Sequence, residues 1–462
     1  MSGQPPKRSS FDVCLPSEVA EISRRQMIAG GVSLTAYASL ASLMLPNVAS
    51  AQSGSAAGPV SYAPQRNLIW INMSGGWDIL EVTDPKVAST AGIDMTYSWD
   101  QASAVSGASD GARLGRFLPS LAGLGKDLLV VRGLAMGTTS HMAGNIYMDT
   151  GILSNAGRVN AASVPSIVAS ESTATIPIIQ LNGGNEAAID RGLLKPVSVV
   201  RADNLDLYRS MYPSGNDALQ RKAAVLDFLA RSIARVRDES GDNDRLKALA
   251  AANDKVRGQF VANVGAKLAL TDADRAHFKN GAPAGNAMSG GLEAVALTLK
   301  LINNDICTCV NLGIGGFDTH QNQTMRLQPI LTAADFLIAR LVEGLRLSGK
   351  LDRTLIVLYS DFGRTPKVNG ANGRDHWPVG GALMIGGGID GGRAVGATDH
   401  NLQAADLIDP DSGLETTDSA KGLQINPTHL GGAVVALTLG ADYTKYRPYL
   451  KSIPALTRIR SS

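Results

Sequence analysis

Continuous apolar segments are the feature of this sequence that most limits its fold. Most of the candidate strands lack the alternation of apolar and polar residues that marks a half-exposed sheet. These strands are predicted at residues 67–73, 127–131, 176–181, 197–200, 307–312, 354–359 and 382–385. Because such segments bury both faces, they are typical of a parallel sheet with helices on each side.

Helical patterns separate several of these strands. Residues 291–303 and 324–347 both carry apolar side chains near helical spacing. Strands that alternate with helices predict a doubly wound α/β sandwich. A length of 462 residues allows one large domain with an insertion, or two domains.

A segment of different character runs from about residue 204 to 280. It contains two long amphipathic helical patterns, separated by the turn residues Ser240-Gly241-Asp242-Asn243. We predict an antiparallel helical hairpin that is inserted in the sheet domain. A structural buttress is a simpler interpretation of this insertion than a moving lid.

The amino-terminal residues have the pattern of an export signal. Arg24 and Arg25 precede a mildly apolar segment, and Ala49-Ser50-Ala51 offers small residues to a signal peptidase. We therefore predict a twin-arginine signal peptide at residues 1–51, a flexible lead at 52–65, and the main domain at 66–462. The expected partner during export is the twin-arginine translocase, and the expected location is the periplasm or the outside of the cell. An uncleaved anchor is the alternative, but we expect no stable membrane anchor after cleavage.

Composition excludes some classes of partner and site. The formal net charge is +2, and no segment concentrates lysine and arginine, so nucleic acid is not an expected partner. Cys307 and Cys309 lie in a predicted buried strand, where small core residues are a better interpretation than a metal or redox pair. The glycine-rich residues 386–392 lack the Lys-Ser/Thr of a phosphate-binding loop and predict a hairpin turn.

Polar residues gather where predicted strands end. The ends of parallel strands share one sheet edge, so we expect a functional cleft there, although each motif alone is typical of a turn or helix cap. In chain order, the candidates are Asp78, Ser140, His141, Asp318, His320, Asp361, Arg364, Asp375 and His376. Carboxylate oxygens combined with histidine nitrogens suit zinc or manganese, and a carboxylate-dominated site suits magnesium or calcium. The side chains expected to converge within a few ångströms are those of Asp318, His320, Asp361 and His376, with Asp78 and Ser140 nearby.

Several of these motifs resemble those of the bacterial domain-of-unknown-function 1501 family. The similarity runs from about residue 66 to 445. It is carried by Ser140-His141, Gly315-Gly316-Phe317-Asp318-Thr319-His320, Ser360-Asp361-Phe362-Gly363-Arg364-Thr365-Pro366, Asp375-His376 and Ile425-Asn426-Pro427. The resemblance implies a relation to the alkaline phosphatase and sulfatase superfamily, and hence a large α/β/α sandwich.

The same resemblance implies roles for the candidate residues. A nucleophile is implied at Ser140 or Thr139, where a helix begins. The implied metal ligands are Asp78, Asp318, His320, Asp361 and His376, with Asp375 as a further candidate. Phe362 stands where the superfamily has a histidine, so the sequence leaves open whether two metal ions, one or none are bound.

Two classes of function follow from these expectations. The first is a metal-dependent hydrolase of a small or polymeric anionic ester, in which Ser140 attacks phosphorus or sulfur and the helix amides hold the anionic oxygens. Arg364 would clamp the anion or form a structural ion pair, and His141 would act as a base, a ligand or a loop anchor. The second is a catalytically degenerate relative that serves as an envelope binding or assembly protein, which the missing histidine favours.

Overall fold

The computed structural model describes most of the chain beyond residue 65. The described residues are 66–154, 161–174, 176–182, 199–201, 216–240, 269–283, 289–401, 403–440 and 449–460, with four single positions between 247 and 267. The predicted signal peptide and the lead lie outside them. No helix among the described residues is both long and apolar enough to cross a membrane.

An eight-stranded sheet forms the centre of the molecule, beside two short strand pairs. The strands are β1 Asn67–Met73, β2 Ser103–Ala104, β3 Arg113–Leu114, β4 Leu128–Ala135, β5 Ile176–Leu181, β6 Val199–Arg201, β7 Cys307–Ile314, β8 Thr354–Tyr359, β9 Gly363–Arg364, β10 His376–Trp377, β11 Val379–Gly386 and β12 Arg393–Val395. The large sheet has the order β12-β4-β11-β8-β1-β7-β5-β6. The short pairs are β2 with β3 and β9 with β10.

Strand direction in the large sheet is uniform except at β11. That strand runs antiparallel to both of its neighbours, β4 and β8, and every other pairing is parallel. The residues that precede β11 therefore lie at the same sheet edge as the residues that follow β1, β4, β7 and β8. This reversal determines which loops can meet.

Helices cover both faces of the sheet. They are α1 Pro119–Ala122, α2 His141–Thr150, α3 Val164–Ser170, α4 Asn216–Ser240, α5 Asp272–Lys279, α6 Ser289–Asn303, α7 Gln323–Leu347, α8 Pro427–Leu439 and α9 Pro454–Thr457. In β1, Ile69 and Ile71 pack into one apolar core with α6 and α7, whereas Leu68 and Trp70 pack into a second core with α3 and α8. The predicted α/β sandwich with a mostly parallel sheet is therefore confirmed.

Some local predictions are confirmed and one is wrong. Strands β1, β5 and β8 have the predicted bounds. Gly386, Gly387 and Gly388 all have positive φ and form a turn, but the predicted hairpin is wrong, because β12 pairs with β4 and not with β11. The thiols of Cys307 and Cys309 are free and buried, and burial raises the pKa of both, as suits core residues.

The predicted helical insertion is described only in part. Its first helix is α4, in which Leu226 and Ile233 are buried. The turn that follows and most of the second helix lie outside the described residues. The hairpin and the domain limits therefore stay predictions.

The buried ion pairs of Asp84 are expected to stabilise the fold. Its buried carboxylate lies 3.0 Å from Lys86 Nζ and 3.5 Å from Arg132 Nε, and it accepts a hydrogen bond from Thr398. Burial alone would raise the pKa of Asp84, but Lys86 and Arg132 outweigh it and hold this pKa below the ordinary value. We expect Asp84→Asn to lower the free energy of unfolding by about 3 kcal/mol in urea denaturation, because Lys86 would stay buried without its carboxylate partner and keep only the Thr398 carbonyl.

The pH dependence of this effect has a defined sign. A carboxyl group whose pKa is lower in the folded state stabilises the fold above its ordinary pKa, and this stabilisation disappears as the pH falls through the folded-state value. The control is Asp305→Asn, which removes an exposed pair with Lys350 and should cost less than about 1 kcal/mol. Equal losses in the two variants would contradict the account.

Candidate metal centre

The polar motifs of five segments meet at one edge of the large sheet. Four of these segments follow β1, β4, β7 and β8, and the fifth precedes the reversed strand β11. The predicted cleft therefore lies where the parallel strands end. Groups from these segments contact one another across sequence separations of more than 200 residues.

The turn after β1 is a tight glycine pair. Gly75 has a φ of 119° and Gly76 a φ of 74°. A Cβ atom on Gly75 would lie 2.5 Å from the Asp318 amide nitrogen, so the turn packs directly against the β7 loop. The amides of Gly75 and Gly76 donate to Asp361 Oδ1 at 3.2 and 2.6 Å.

Helix α2 brings His141 to this turn. His141 is the first residue of the helix, and Gly144, one turn later, packs on the backbone of Asp361. His141 Nδ1 forms a hydrogen bond with Asp361 Oδ2. The other ring nitrogen, Nε2, lies 3.7 Å from Asp318 Oδ2.

His320 and His376 are held in the same manner. His320 Nδ1 lies 2.8 Å from Asp375 Oδ1, and His376 Nδ1 donates to the Thr139 carbonyl at 2.9 Å. Their Nε2 atoms lie 3.0 and 3.5 Å from Asp318 Oδ1, and 3.0 Å from each other. All three histidines therefore engage an oxygen through Nδ1 and direct Nε2 toward Asp318.

This arrangement fits a transition metal. Metal-binding histidines generally donate the second ring N–H to a carboxylate or a backbone carbonyl. Donor atoms of His141, Asp318 and His376 all lie within 4.8 Å of one another, and His320 borders the same space. Neighbouring ligands of a tetrahedral zinc ion lie about 3.3 Å apart, given bond lengths of about 2.0 Å. Two or three nitrogens with one carboxylate suit zinc or manganese better than magnesium or calcium.

The electrostatics of these groups also suit a cation. The hydrogen bond with Asp361 raises the pKa of His141, whereas burial lowers the pKa of His376. Burial alone would raise the pKa of Asp318, but Arg364 and the neighbouring histidines hold it below the ordinary value. Asp318 is therefore ionised and His376 neutral at neutral pH, and protons compete for His141 at a higher pH than for an ordinary histidine.

Phe362 closes one side of the cluster. Its ring is fully buried, with its centroid 4.7 Å from that of His141 and 4.5 Å from that of His376. On this side the imidazole rings of His141 and His376 face the carbon atoms of the Phe362 ring. The side chains of His141, Asp318 and His376 are otherwise 38%, 51% and 26% exposed, so a ligand can approach from solvent.

Arg364 is a buried structural group. Its Nε donates to the Gly76 carbonyl at 2.7 Å, Nη1 to the Arg374 carbonyl at 3.1 Å, and Nη2 to both the Gly75 carbonyl and Asp318 Oδ1. Clamping an anion would require these bonds to be given up. Of the two predicted roles, the geometry therefore favours the ion pair with Asp318.

Asp78, Asp361 and Asp375 are occupied by other protein groups. Asp78 is buried, accepts hydrogen bonds from Gln323 and the Leu80 amide, and pairs with Arg374. Asp361 binds the glycine turn and His141, and Asp375 binds His320 and Asn369. Among the predicted ligands, it is thus Asp318, His320 and His376 that share one space, together with His141.

Sequence reasoning missed several supporting groups. The Thr139 carbonyl and the glycine-turn amides orient predicted residues, but backbone groups leave no side-chain signal in a sequence. Asn369 supports Asp375 through its side-chain amide and lies in a turn, where asparagine is common for other reasons. Gln323 could have been found, because it directly precedes the helix predicted at residues 324–347 and lies three residues after His320. Ser140 lies as predicted, exposed at the start of α2, and its side chain makes no helix-capping hydrogen bond.

Comparison with known proteins identifies the family. The chain belongs to the family described as protein of unknown function (DUF1501), which matches residues 65–410. The family predicted from the motifs is thereby confirmed. No curated protein matches the sequence.

Solved structures that match the chain include sulfatases and an alkaline phosphatase. A sulfatase from Pseudoalteromonas sp. is 12% identical, with 86% of this chain and 74% of that chain covered and a TM-score of 0.37. A TAB5 alkaline phosphatase variant with bound magnesium is 12% identical, with 70% and 91% covered and a TM-score of 0.31. The lipoteichoic acid synthase LtaP from Listeria monocytogenes is 9% identical, with 86% and 94% covered and a TM-score of 0.31.

The packing of α2 generates a prediction. A Cβ atom on Gly144 would lie 2.1 Å from the Asp361 carbonyl oxygen, and backbone cannot yield as a side chain can. We expect Gly144→Ala to lower the free energy of unfolding by about 1–3 kcal/mol, although alanine is the better helix former. Gly370→Ala, where a Cβ atom meets nothing within 4 Å, is the control and should change stability by less than about 0.5 kcal/mol. A Gly144→Ala protein as stable as the wild type would refute this close packing.

Proposed function

We propose that this DUF1501 protein is a metal-dependent hydrolase of phosphate or sulfate esters. One divalent ion would be held by His141, Asp318 and His376, with His320 beside them. The observation that supports this proposal is the common orientation of the three histidines, with Nδ1 engaged and Nε2 directed toward Asp318. In neutral rings, the Nε2 atoms of His320 and His376 carry lone pairs that repel at 3.0 Å unless a proton or a cation lies next to them.

The residues around this centre suit attack on an anionic ester. A divalent ion supplies Lewis acidity toward the ester and favours ionisation of an attacking hydroxyl. Ser140 is exposed and directly precedes His141, so its hydroxyl is the proposed nucleophile. The free amides at the start of the ten-residue helix α2 can bind the anionic oxygens of the substrate.

A non-catalytic envelope binding or assembly protein is the second candidate. Phe362 packs against His141 and His376 and stands where the superfamily resemblance implies a histidine, and the guanidinium of Arg364 is committed to protein acceptors. Arg364 Nη1 also lies 3.4 Å from His320 Nε2, so it supplies part of the positive charge that this nitrogen requires. Metal binding and ester hydrolysis discriminate between the two candidates.

The proposal also includes export by the twin-arginine route to the periplasm or beyond. Arg24 and Arg25 support it, as does a centre assembled from distant segments, which exists only in the folded chain. Replacing both arginines by lysine should leave the protein in the cytoplasmic fraction, and Lys7→Arg should not. Equal periplasmic yield from the double variant would contradict export by this route.

Zinc binding tests the metal centre. We expect the wild-type protein to bind one zinc ion in a calorimetric titration, and His376→Gln to weaken binding by more than the roughly 10- to 100-fold effect of an outer-shell change. His400→Gln is the control, because His400 is an exposed histidine of another loop. Equal zinc affinity in the wild type and in His376→Gln would exclude the proposed ligand set.

Ser140 tests the chemistry separately from the metal. We expect Ser140→Ala to retain zinc but to lose at least about a thousandfold in kcat on generic aryl phosphate or sulfate esters, because the nucleophile is gone. The control is Ser120→Ala, an exposed serine at the start of α1. Zinc binding by wild-type protein without hydrolysis of either ester would support the second candidate.

A further inference from the structure

Asp361 is a carboxylate at this sheet edge that has protein partners at both of its oxygens. It is fully buried, and it binds His141 through one oxygen and the amides of Gly75 and Gly76 through the other. We propose that Asp361 is a positioning residue that holds His141 with Nε2 open and, through the glycine turn, fixes Asp318. The consequence for metal affinity rests on the proposed function, whereas the orientation of His141 does not.

The first connection sets the protonation pattern of His141. An ionised carboxylate can only accept a hydrogen bond, so the His141 nitrogen next to Asp361 Oδ2, Nδ1, carries the proton. In the neutral ring, Nε2 then has a lone pair directed toward Asp318. The rings of Phe362 and His376, with centroids 4.7 and 4.6 Å away, restrict rotation of this imidazole.

The second connection runs through the backbone of the turn. The amides of Gly75 and Gly76 donate to Asp361 Oδ1, and the carbonyls of the same two residues accept from Arg364. Arg364 Nη2 then donates to Asp318 Oδ1 at 2.5 Å. One buried carboxylate therefore acts on two members of the proposed ligand set.

The geometry argues against Asp361 as a direct ligand. Both of its oxygens already have protein donors, and the side chain is not exposed. Moving the carboxylate toward an ion would leave two buried amides without an acceptor, which is unfavourable. The structure thus assigns Asp361 a supporting role, in place of the ligand role predicted from the sequence.

Asp361→Asn separates the two connections. The amide oxygen of asparagine still accepts from the glycine turn, but its NH₂ group faces His141 and can only donate. Nδ1 of His141 then becomes the acceptor and the proton moves to Nε2, as in a catalytic triad whose aspartate is replaced by asparagine. We expect ¹H–¹⁵N spectra of the histidine rings, taken at a pH where titration shows the His141 ring to be neutral in both proteins, to show Nδ1–H for wild-type His141 and Nε2–H for the variant. Zinc affinity should fall about 10- to 100-fold.

The control is Asp375→Asn, which should change the nitrogen that carries the proton in the His320 ring and leave the His141 tautomer unchanged. An Asp361→Asn protein in which His141 keeps Nδ1–H, or in which zinc affinity equals that of the wild type, overturns the proposal. Complete loss of zinc binding with an unchanged His141 tautomer would identify Asp361 as a ligand and would also overturn the proposal.

If the wild type binds no zinc, the proposed function fails, and the tautomer of His141 alone decides the positioning role. If the variant does not fold, Nε2–H on wild-type His141 is the overturning result.

Discussion

The buried guanidinium of Arg364 is the interaction on which the site depends. Its hydrogen bonds join the turn after β1, the loop after β7 and the segment before β11. A buried charge is tolerated only when its hydrogen-bonding groups have partners, so these segments cannot separate without a large loss of stability. Asp318, which three histidines face, is fixed by this guanidinium and remains half exposed.

The sheet explains why these segments meet at all. Residues 78, 141, 318 and 361 follow strands that run in one direction, and residue 376 precedes the one strand that runs the other way. The glycines at positions 75 and 144 then allow backbone to approach backbone more closely than a Cβ atom would permit. A rigid frame of this kind positions donor atoms before any ligand arrives, which is what a metal or anion site requires.

The part of this arrangement that the sequence predicts is the part encoded in side chains. Strands β1, β5 and β8 were predictable because both of their faces are apolar, and the meeting of the Asp318 and Asp361 loops followed from parallel strand ends. His376 joins these loops because the reversed strand β11 begins at the same sheet edge. The reversal of β11 and the path of β12 were not predictable, because a strand buried on both faces looks the same in either direction.

The roles of the carboxylates were not predictable either. Asp78 and Asp361 look like Asp318 in the sequence, and it is their burial beside Arg374 and the glycine turn that sets them apart.

The proposed ion would lie in the space between His141, Asp318 and His376. Anomalous diffraction at the zinc absorption edge, from crystals of the zinc-treated protein, locates a bound ion directly. We predict one strong anomalous-difference peak within bonding distance of Nε2 of both histidines and of the Asp318 carboxylate. No peak there, or a peak beside Asp78 and Asp361, would contradict this prediction.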